Sequence, residues 1–282
     1  MITIRLQGGL GNQMFQYAAA YALARRLGAP LRLDLSCFPG DKLRDYMLDR
    51  YNLPAGIEVT SGGGILPVKL RRFLPEKGLY REPHFHVDPW LFNLQNPAIL
   101  EGYFQSEQYF SACAGDIRAH FTLKDGFSAG SATLKTRIEE APVSVSLHMR
   151  RGDYVSDPKV RAVHGCLTED YYREAVQIIQ EKCGAGVRFF IFSDDPDYAE
   201  STFDFCPDKH IVRGNDASPH EDMQLMACCD HHIIANSSFS WWGAWLNDAP
   251  GKTVVAPRRW FGPETMKEKN TKDLLPEEWI KI

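Results

Sequence analysis

The sequence predicts an α/β protein built on parallel sheets, and three observations point there. The chain opens strand, glycine turn, helix, strand, the start of a parallel-sheet unit. From about residue 131 onward, short apolar runs alternate with amphipathic helical stretches. Three of those runs end in a polar cluster, as strands of an open parallel sheet do where they meet a ligand.

The elements can be taken in order. Ile2–Leu6 is a β-rich run, followed by the turn Gly8-Gly9-Leu10-Gly11-Asn12-Gln13. A helix is expected from about Gln13 to Leu27, apolar around much of its circumference and ended by Gly28 and Pro30. Leu31–Leu35 is the second strand. Residues 36–96 carry many prolines and the run Gly62-Gly63-Gly64, which lacks the Lys-Ser/Thr of a phosphate loop and is read as a surface loop. Asp125–Gly130 is small and polar and marks a linker, giving domains 1–130 and 131–282. Val143–Met149 is a strand, and a helix runs from an N-cap at Thr168 to about Lys182. Val187–Phe192 is the next strand. Ser218-Pro219-His220-Glu221 reads as a capping box opening a helix to about Cys229. His232–Ala235, Phe239–Leu246 and Thr253–Ala256 follow as strand, helix and strand.

Composition narrows the function. The 282 residues are 44% hydrophobic and 24% charged, with a formal net charge of −4, so a nucleic acid or an anionic membrane is not the main partner. An anionic ligand needs a local positive cluster. The seven cysteines are odd in number and form no C-x-x-C pair, a pattern of reduced thiols in a cytosolic protein. The N-terminus reads directly as a strand, which predicts no signal peptide, and no apolar run reaches a membrane span. A cytoplasmic protein is expected.

Three clusters follow the strands ending at Met149, Phe192 and Ala235. Arg150-Arg151-Gly152-Asp153 offers forked donors for phosphate oxygens, with one arginine facing the ligand and the other fixing the loop. The same residues also fit a structural Arg–Asp pair. Ser193-Asp194-Asp195 suits a ribose diol, a base N–H edge or a divalent metal, and equally an ordinary turn before Pro196. Asn236-Ser237-Ser238-Phe239 opens a helix whose N-terminus suits a diphosphate, or is simply N-capped. Trp241, Trp242 and Trp245 on that helix are read as core. His84, His86, His231 and His232 have no convincing metal partners, and no metal site is expected. Three polar clusters at three strand ends form one site more economically than three unrelated turns.

Taken together, these segments resemble the bacterial α-1,2-fucosyltransferases. Gly8–Ala18 resembles that family's N-terminal signature, and His148-x-Arg150-Arg151-x-Asp153 the donor motif shared with α-1,6- and protein O-fucosyltransferases. Phe192–Asp195, Asn236–Gly243 and Glu101–Glu107 resemble three further blocks, in the family's order. The resemblance implies a GT-B-like fold, two Rossmann-like domains facing across a donor/acceptor cleft, with the acceptor side in the N-terminal domain. It implies inverting transfer of L-fucose from GDP-β-L-fucose to the 2-hydroxyl of a terminal β-galactoside, without cofactor or metal. Arg150 would bind the diphosphate beside His148, with Arg151 completing the motif. Ser237, Ser238, Phe239 and Asn236 would line the phosphate pocket, while Ser193, Asp194 and Asp195 would read guanine or ribose. Gly11 and Asn12 would approach the donor, and Tyr103 and Gln105 the acceptor. Asp153, Asp157 and His164 are the candidates for the proton acceptor, the last two also lying on the acceptor side. A lipid-linked glycan met peripherally at the inner membrane face is the natural acceptor the resemblance suggests.

Three other readings stay open on the sequence, one of them a non-catalytic carbohydrate-binding protein suggested by the aromatic content. A related glycosyltransferase could use another nucleotide sugar or linkage. Gly9-x-Gly11 with Asp34 imitates a dinucleotide fingerprint and suggests an NAD-dependent oxidoreductase, but Met14 stands at its third glycine position.

Overall fold

A computed structural model of the protein describes residues 1–40, 44–61, 77–152, 158–214 and 218–282. Contacts divide the chain into two units, Met1–Lys124 with Asn270–Leu274, and Asp125–Lys269 with Leu275–Ile282. Gly62-Gly63-Gly64 lies outside the described residues.

The first unit is a parallel sheet of β1 (Ile2–Arg5), β2 (Leu31–Asp34), β3 (Glu58–Thr60), β4 (Leu79–Arg81) and β5 (Ala98–Glu101) in the order β3-β2-β1-β5-β4. Helix α1 spans Leu10–Arg26, beginning three residues earlier than the sequence suggests, and Gly28 closes it at a φ of 57°. It is buried on most sides, which explains its weak amphipathic pattern. Two glutamines on it are fully buried, and both are satisfied. Gln13 Nε2 donates to the carbonyls of Gly8 and Asp45, and its Oε1 accepts from the Met47 amide. Gln16 Oε1 accepts from the Gln7 amide while its Nε2 donates to the Gly102 carbonyl. Strands β3 and β4 fall in the region read as loop. They are three residues each and sit at the sheet edges, too short to show a period. A short helix α2, Ala114–His120, precedes the second unit.

That unit holds β6 (Val143–Met149), β7 (Val187–Ser193), β8 (Lys209–Ile211), β9 (His231–Ile233), β10 (Val254–Ala256) and β11 (Ile280–Lys281), all parallel, in the order β11-β10-β9-β6-β7-β8. Read from β8, this is the Rossmann order 3-2-1-4-5-6. Its helices are α3 (Ala129–Glu139), α4 (Pro158–His164), α5 (Glu169–Cys183), α6 (Pro196–Thr202), α7 (Pro219–Ala227), α8 (Ser238–Leu246) and α9 (Pro263–Glu268). Tyr172, Ala175 and Ile179 of α5 pack with Val145 and Leu147 on one face of the sheet. Ile138 of α3 and Leu225 and Met226 of α7 pack with Phe190 and Phe192 on the other. Trp241, Trp242 and Trp245 are buried in α8, as their apolar setting suggests.

Two predicted caps differ. Thr168 occupies the N-cap of α5 without a side-chain bond. Glu221 does not close a box with Ser218; its carboxylate accepts from the Ser128 amide and hydroxyl, fastening the start of α3 to α7. A capping box is a local pattern, and a tertiary partner has taken its acid.

Strand β6 alternates small polar with apolar residues, yet both of its faces are buried. Ser144 Oγ donates to Asp230 at 2.8 Å, and Ser146 Oγ meets His232 Nδ1 at 2.8 Å. Asn247 Nδ2 approaches His232 Nε2 at 3.0 Å and the Cys229 carbonyl at 2.7 Å. An amide nitrogen only donates, so Nε2 accepts and Nδ1–H donates to Ser146. Burial drives the His232 pKa well below the ordinary range, keeping it neutral for this role. Asn247→Leu strips two buried acceptors of their donor. It is expected to lower unfolding free energy by about 2–3 kcal/mol, measured by urea denaturation; an unchanged midpoint would refute the role given to this network.

Candidate active site

The strand order places a switch point between β6 and β9, where crossovers leave for opposite faces of the sheet and open a crevice at the carboxyl ends. His148 and Met149 end β6 and Arg150 follows it, and Ala235 through Phe239 lead from β9 into α8. The His148 and Phe239 rings lie 5.6 Å apart across it. Gly243 lets α8 approach α7 closely, since a Cβ there would sit 2.8 Å from the Met226 Cβ.

Two carboxylates after β7 hold the arginine pair. Asp194 Oδ2 pairs with Arg150 Nη1 at 2.8 Å, and its Oδ1 accepts the Arg151 backbone amide at 2.8 Å. Asp195 Oδ2 pairs with Arg151 Nε at 3.2 Å, while Oδ1 caps α6 by accepting from the Tyr198 amide. The Arg151 guanidinium also lies 3.3 Å over the Tyr198 ring. Arg151 is therefore held from two sides and fixes the loop. Both arginines line a recess with Tyr172, Tyr198, Cys166 and Glu169. Ser193 Oγ accepts the Asp195 amide at 3.0 Å and shapes the turn. Gly152 leaves room for Asp194, whose Oδ2 would stand 2.6 Å from a Cβ there and would have to shift.

His148 is buried to 5% exposure, and its Nδ1 has no hydrogen-bond partner among the described residues. Burial lowers its pKa to about 4, with Asp194 opposing and Arg150 adding to the shift. It is a neutral imidazole at pH 7. Its backbone carbonyl accepts from Tyr172 Oη at 3.3 Å, and the neighbouring Tyr171 Oη donates to the Ile234 carbonyl at 2.6 Å. Adjacent tyrosines on α5 thus reach both strands that flank the switch point. No motif in the sequence marks Tyr171, Tyr172 or Tyr198. An aromatic residue on an amphipathic face shows its ring in the pattern and conceals its hydroxyl.

On the β9 side, Ser237 Oγ accepts the Phe239 amide at 3.3 Å and caps α8, whose first residue is Ser238. Asn236 is buried, and its Nδ2 donates to the carbonyls of His164 and Trp260 at 2.8 and 3.2 Å. It holds the loops around the crevice. His164 packs its ring against Phe261 at 5.8 Å. Asp153 and Asp157 lie outside the described residues.

In the first unit, the switch point falls between β1 and β5, and the named residues gather there. Asn12 follows β1, Gln105 follows β5, and Gln105 Nε2 donates to Asn12 Oδ1 at 2.7 Å. Gly11 is buried at the start of α1, and Tyr103 is 37% exposed on the loop after β5. Gly8, at a φ of 78°, leaves room for the Asn12 amide, which a Cβ would meet at 2.8 Å.

The model of glycosyl transferase family 11 matches residues 88–282. The chain belongs to glycosyl transferase family 11. The Escherichia coli O-antigen biosynthesis glycosyltransferase WbnK is 34% identical over 98% of this chain and 99% of its own length. The Escherichia coli alpha-1,2-colitosyltransferase is also 34% identical, over 100% and 99%. Galactoside alpha-(1,2)-fucosyltransferase 1 of Lagothrix lagotricha is 28% identical over 89% of this chain and 66% of its own length. Among solved structures, an Arabidopsis thaliana FUT1 mutant in complex with GDP matches with a TM-score of 0.52 at 13% identity, covering 90% of this chain and 69% of that one, a likeness of fold. The family 11 chain is a glycosyltransferase with two parallel Rossmann-like sheets, of the GT-B-like class.

The neutral state of His148 has a measurable consequence. An unfolded histidine takes up its proton near pH 6.5, whereas the buried one resists to about 4. Falling pH across that window therefore favours the unfolded chain, removing about 3 kcal/mol by pH 4. His148→Gln is expected to flatten the pH dependence of unfolding free energy between pH 6.5 and 4; a slope equal to that of the wild type would refute it.

Proposed function

We propose that the protein transfers L-fucose from GDP-β-L-fucose to the 2-hydroxyl of a terminal β-galactoside, with inversion. One observation carries the reading: Arg150 follows β6 at the switch point with its guanidinium paired to Asp194, while His148 beside it packs against Phe239 of α8, in a family 11 chain. The diphosphate would take the place of the carboxylate at Arg150 and lie against the amides opening α8. Attack of the acceptor 2-hydroxyl oxygen on the anomeric carbon breaks the C–O bond to the β-phosphate; GDP departs with the electron pair, and the hydroxyl proton passes to water or to the departing phosphate. Fixed positive donors stabilise the charge as it develops on the leaving oxygen, which is the usual main term in such a step. This charge comes from side chains and backbone, so the reading includes no metal, and activity should survive EDTA.

His148, neutral at pH 7, is assigned a hydrogen bond beside the diphosphate. Asp194, Asp195 and Ser193 are assigned to the nucleoside, and Arg151 to the loop. The relatives named for alpha-1,2 transfer support the linkage. No helix among the described residues is long and apolar enough to cross a membrane, and a lipid-linked glycan would be met from the membrane surface.

A second donor has specific support in the relative named alpha-1,2-colitosyltransferase. Colitose is fucose without its 3-hydroxyl, so the two donors differ by one polar group. Calorimetry with GDP, GDP-fucose, GDP-mannose and UDP-galactose, followed by transfer to lactose and NMR of the linkage, tests the proposal. Binding of GDP and GDP-fucose and an α-1,2 product are expected; no binding of either would sink it. A kcat/KM higher for GDP-colitose would establish the second donor. Arg150→Ala is expected to lower kcat by about 10²–10³-fold, and normal transfer by this variant would remove Arg150 from the site.

A further inference from the structure

The loop after β5 is built with more care than a connection requires. Glu82, the residue after β4, accepts two consecutive backbone amides with its two carboxylate oxygens, Tyr103 at 2.7 Å and Phe104 at 3.0 Å. Gly102 makes this approach possible, since a Cβ there would lie 2.4 Å from the Glu82 Cβ. Phe104 has a φ of 53°, the only non-glycine residue among those described with a positive φ. Bulky residues seldom adopt that conformation, and where they do the surroundings must enforce it. Here the enforcement is visible. The Phe104 ring is fully buried, stacked near Tyr80 and edge-on to Tyr109, and Gln16 Nε2 holds the Gly102 carbonyl.

The result is a local reversal. Phe104 goes down into the core, while Tyr103 beside it is 37% exposed as a residue and Gln105 reaches Asn12. A half-exposed aromatic face, next in the chain to a coupled pair of carboxamides, lies at the carboxyl edge of the sheet. These are the two kinds of group that hold a neutral sugar: a flat apolar surface for its C–H face, and amides that both donate and accept for its hydroxyls.

Resting on the galactoside reading above, in which Tyr103 and Gln105 face the acceptor, we propose that Glu82 is the positioning residue that builds this acceptor side. Glu82 touches no sugar. It fixes the two amides that set the Phe104 reversal, and so fixes where Tyr103 stands. Its effect is on acceptor affinity and leaves the nucleotide alone.

The test measures acceptor and nucleotide separately. Lactose binding is read by saturation-transfer NMR with no nucleotide added, lactose KM by transfer, and GDP affinity by calorimetry, for wild type, Tyr103→Ala and Glu82→Gln. Tyr103→Ala should raise lactose KM about tenfold and erase the NMR signal, the loss expected of one aromatic–sugar contact. Glu82→Gln, which keeps one acceptor oxygen and loses the other, should raise KM severalfold at nearly unchanged kcat. GDP affinity should stay within about twofold in both. Lactose binding and KM like those of the wild type in both variants would overturn the proposal, as would a wild type that does not bind lactose. Should Glu82→Gln fail to fold, Glu82→Asp, which keeps the carboxylate and shortens its reach, is measured in its place with the same outcomes. A wild type that binds lactose but not GDP would sink the donor reading and leave this acceptor side supported.

Discussion

A parallel sheet gathers the carboxyl ends of its strands on one edge, and where neighbouring crossovers leave for opposite faces the chain does not cover that edge itself. Both units have such a place, between β1 and β5 and between β6 and β9. In each, the residues around the opening are fixed from below by buried polar groups. Gln13 and Gln16 tie the turns of the first unit, and Tyr171 and Tyr172 tie both strands of the second. Removing these ties would leave the sheets standing and the openings undefined.

The electrostatics follow from the same constraint. A chain of net charge −4 attracts no polyphosphate by its overall field. It therefore concentrates two arginines at one strand end and restrains them with two carboxylates from the next. The pairs are part-exposed, so their direct contribution to stability is small. On the proposed reading they hold the guanidinium groups in place before a ligand arrives, which lowers the reorganisation that catalysis would otherwise require. His148 completes the picture from the other direction, since burial beside Arg150 keeps it uncharged.

Much of the second unit was legible because β6 and β7 are seven residues long and a polar cluster falls directly after each. The Rossmann order itself was not, because β8 and β11 are short edge strands whose pairing depends on tertiary context. Asp194 and Asp195 were legible as ligand or turn residues, and the structure shows each carboxylate bridging an arginine and a backbone amide. No local pattern announces a partner 43 residues away. Glu82 was invisible for the same reason. It sits between Arg81 and Pro83 in a stretch with no period, and only the return of β5 beside β4 brings Tyr103 to it.

The N-terminal block that resembles the fucosyltransferases shows how a signature can mix structural and functional residues. Gln13 and Gln16 are fully buried, and each supplies both a donor and an acceptor to backbone groups. Neither could meet a substrate without abandoning those bonds, at a cost of one to a few kcal/mol for each buried group left unpaired. Asn12 differs, because its carboxamide stands at the opening and bonds another side chain, Gln105, which can re-pair when a hydroxyl approaches. Within one short block, then, the buried amides fix the turn and the outward amide is available for chemistry.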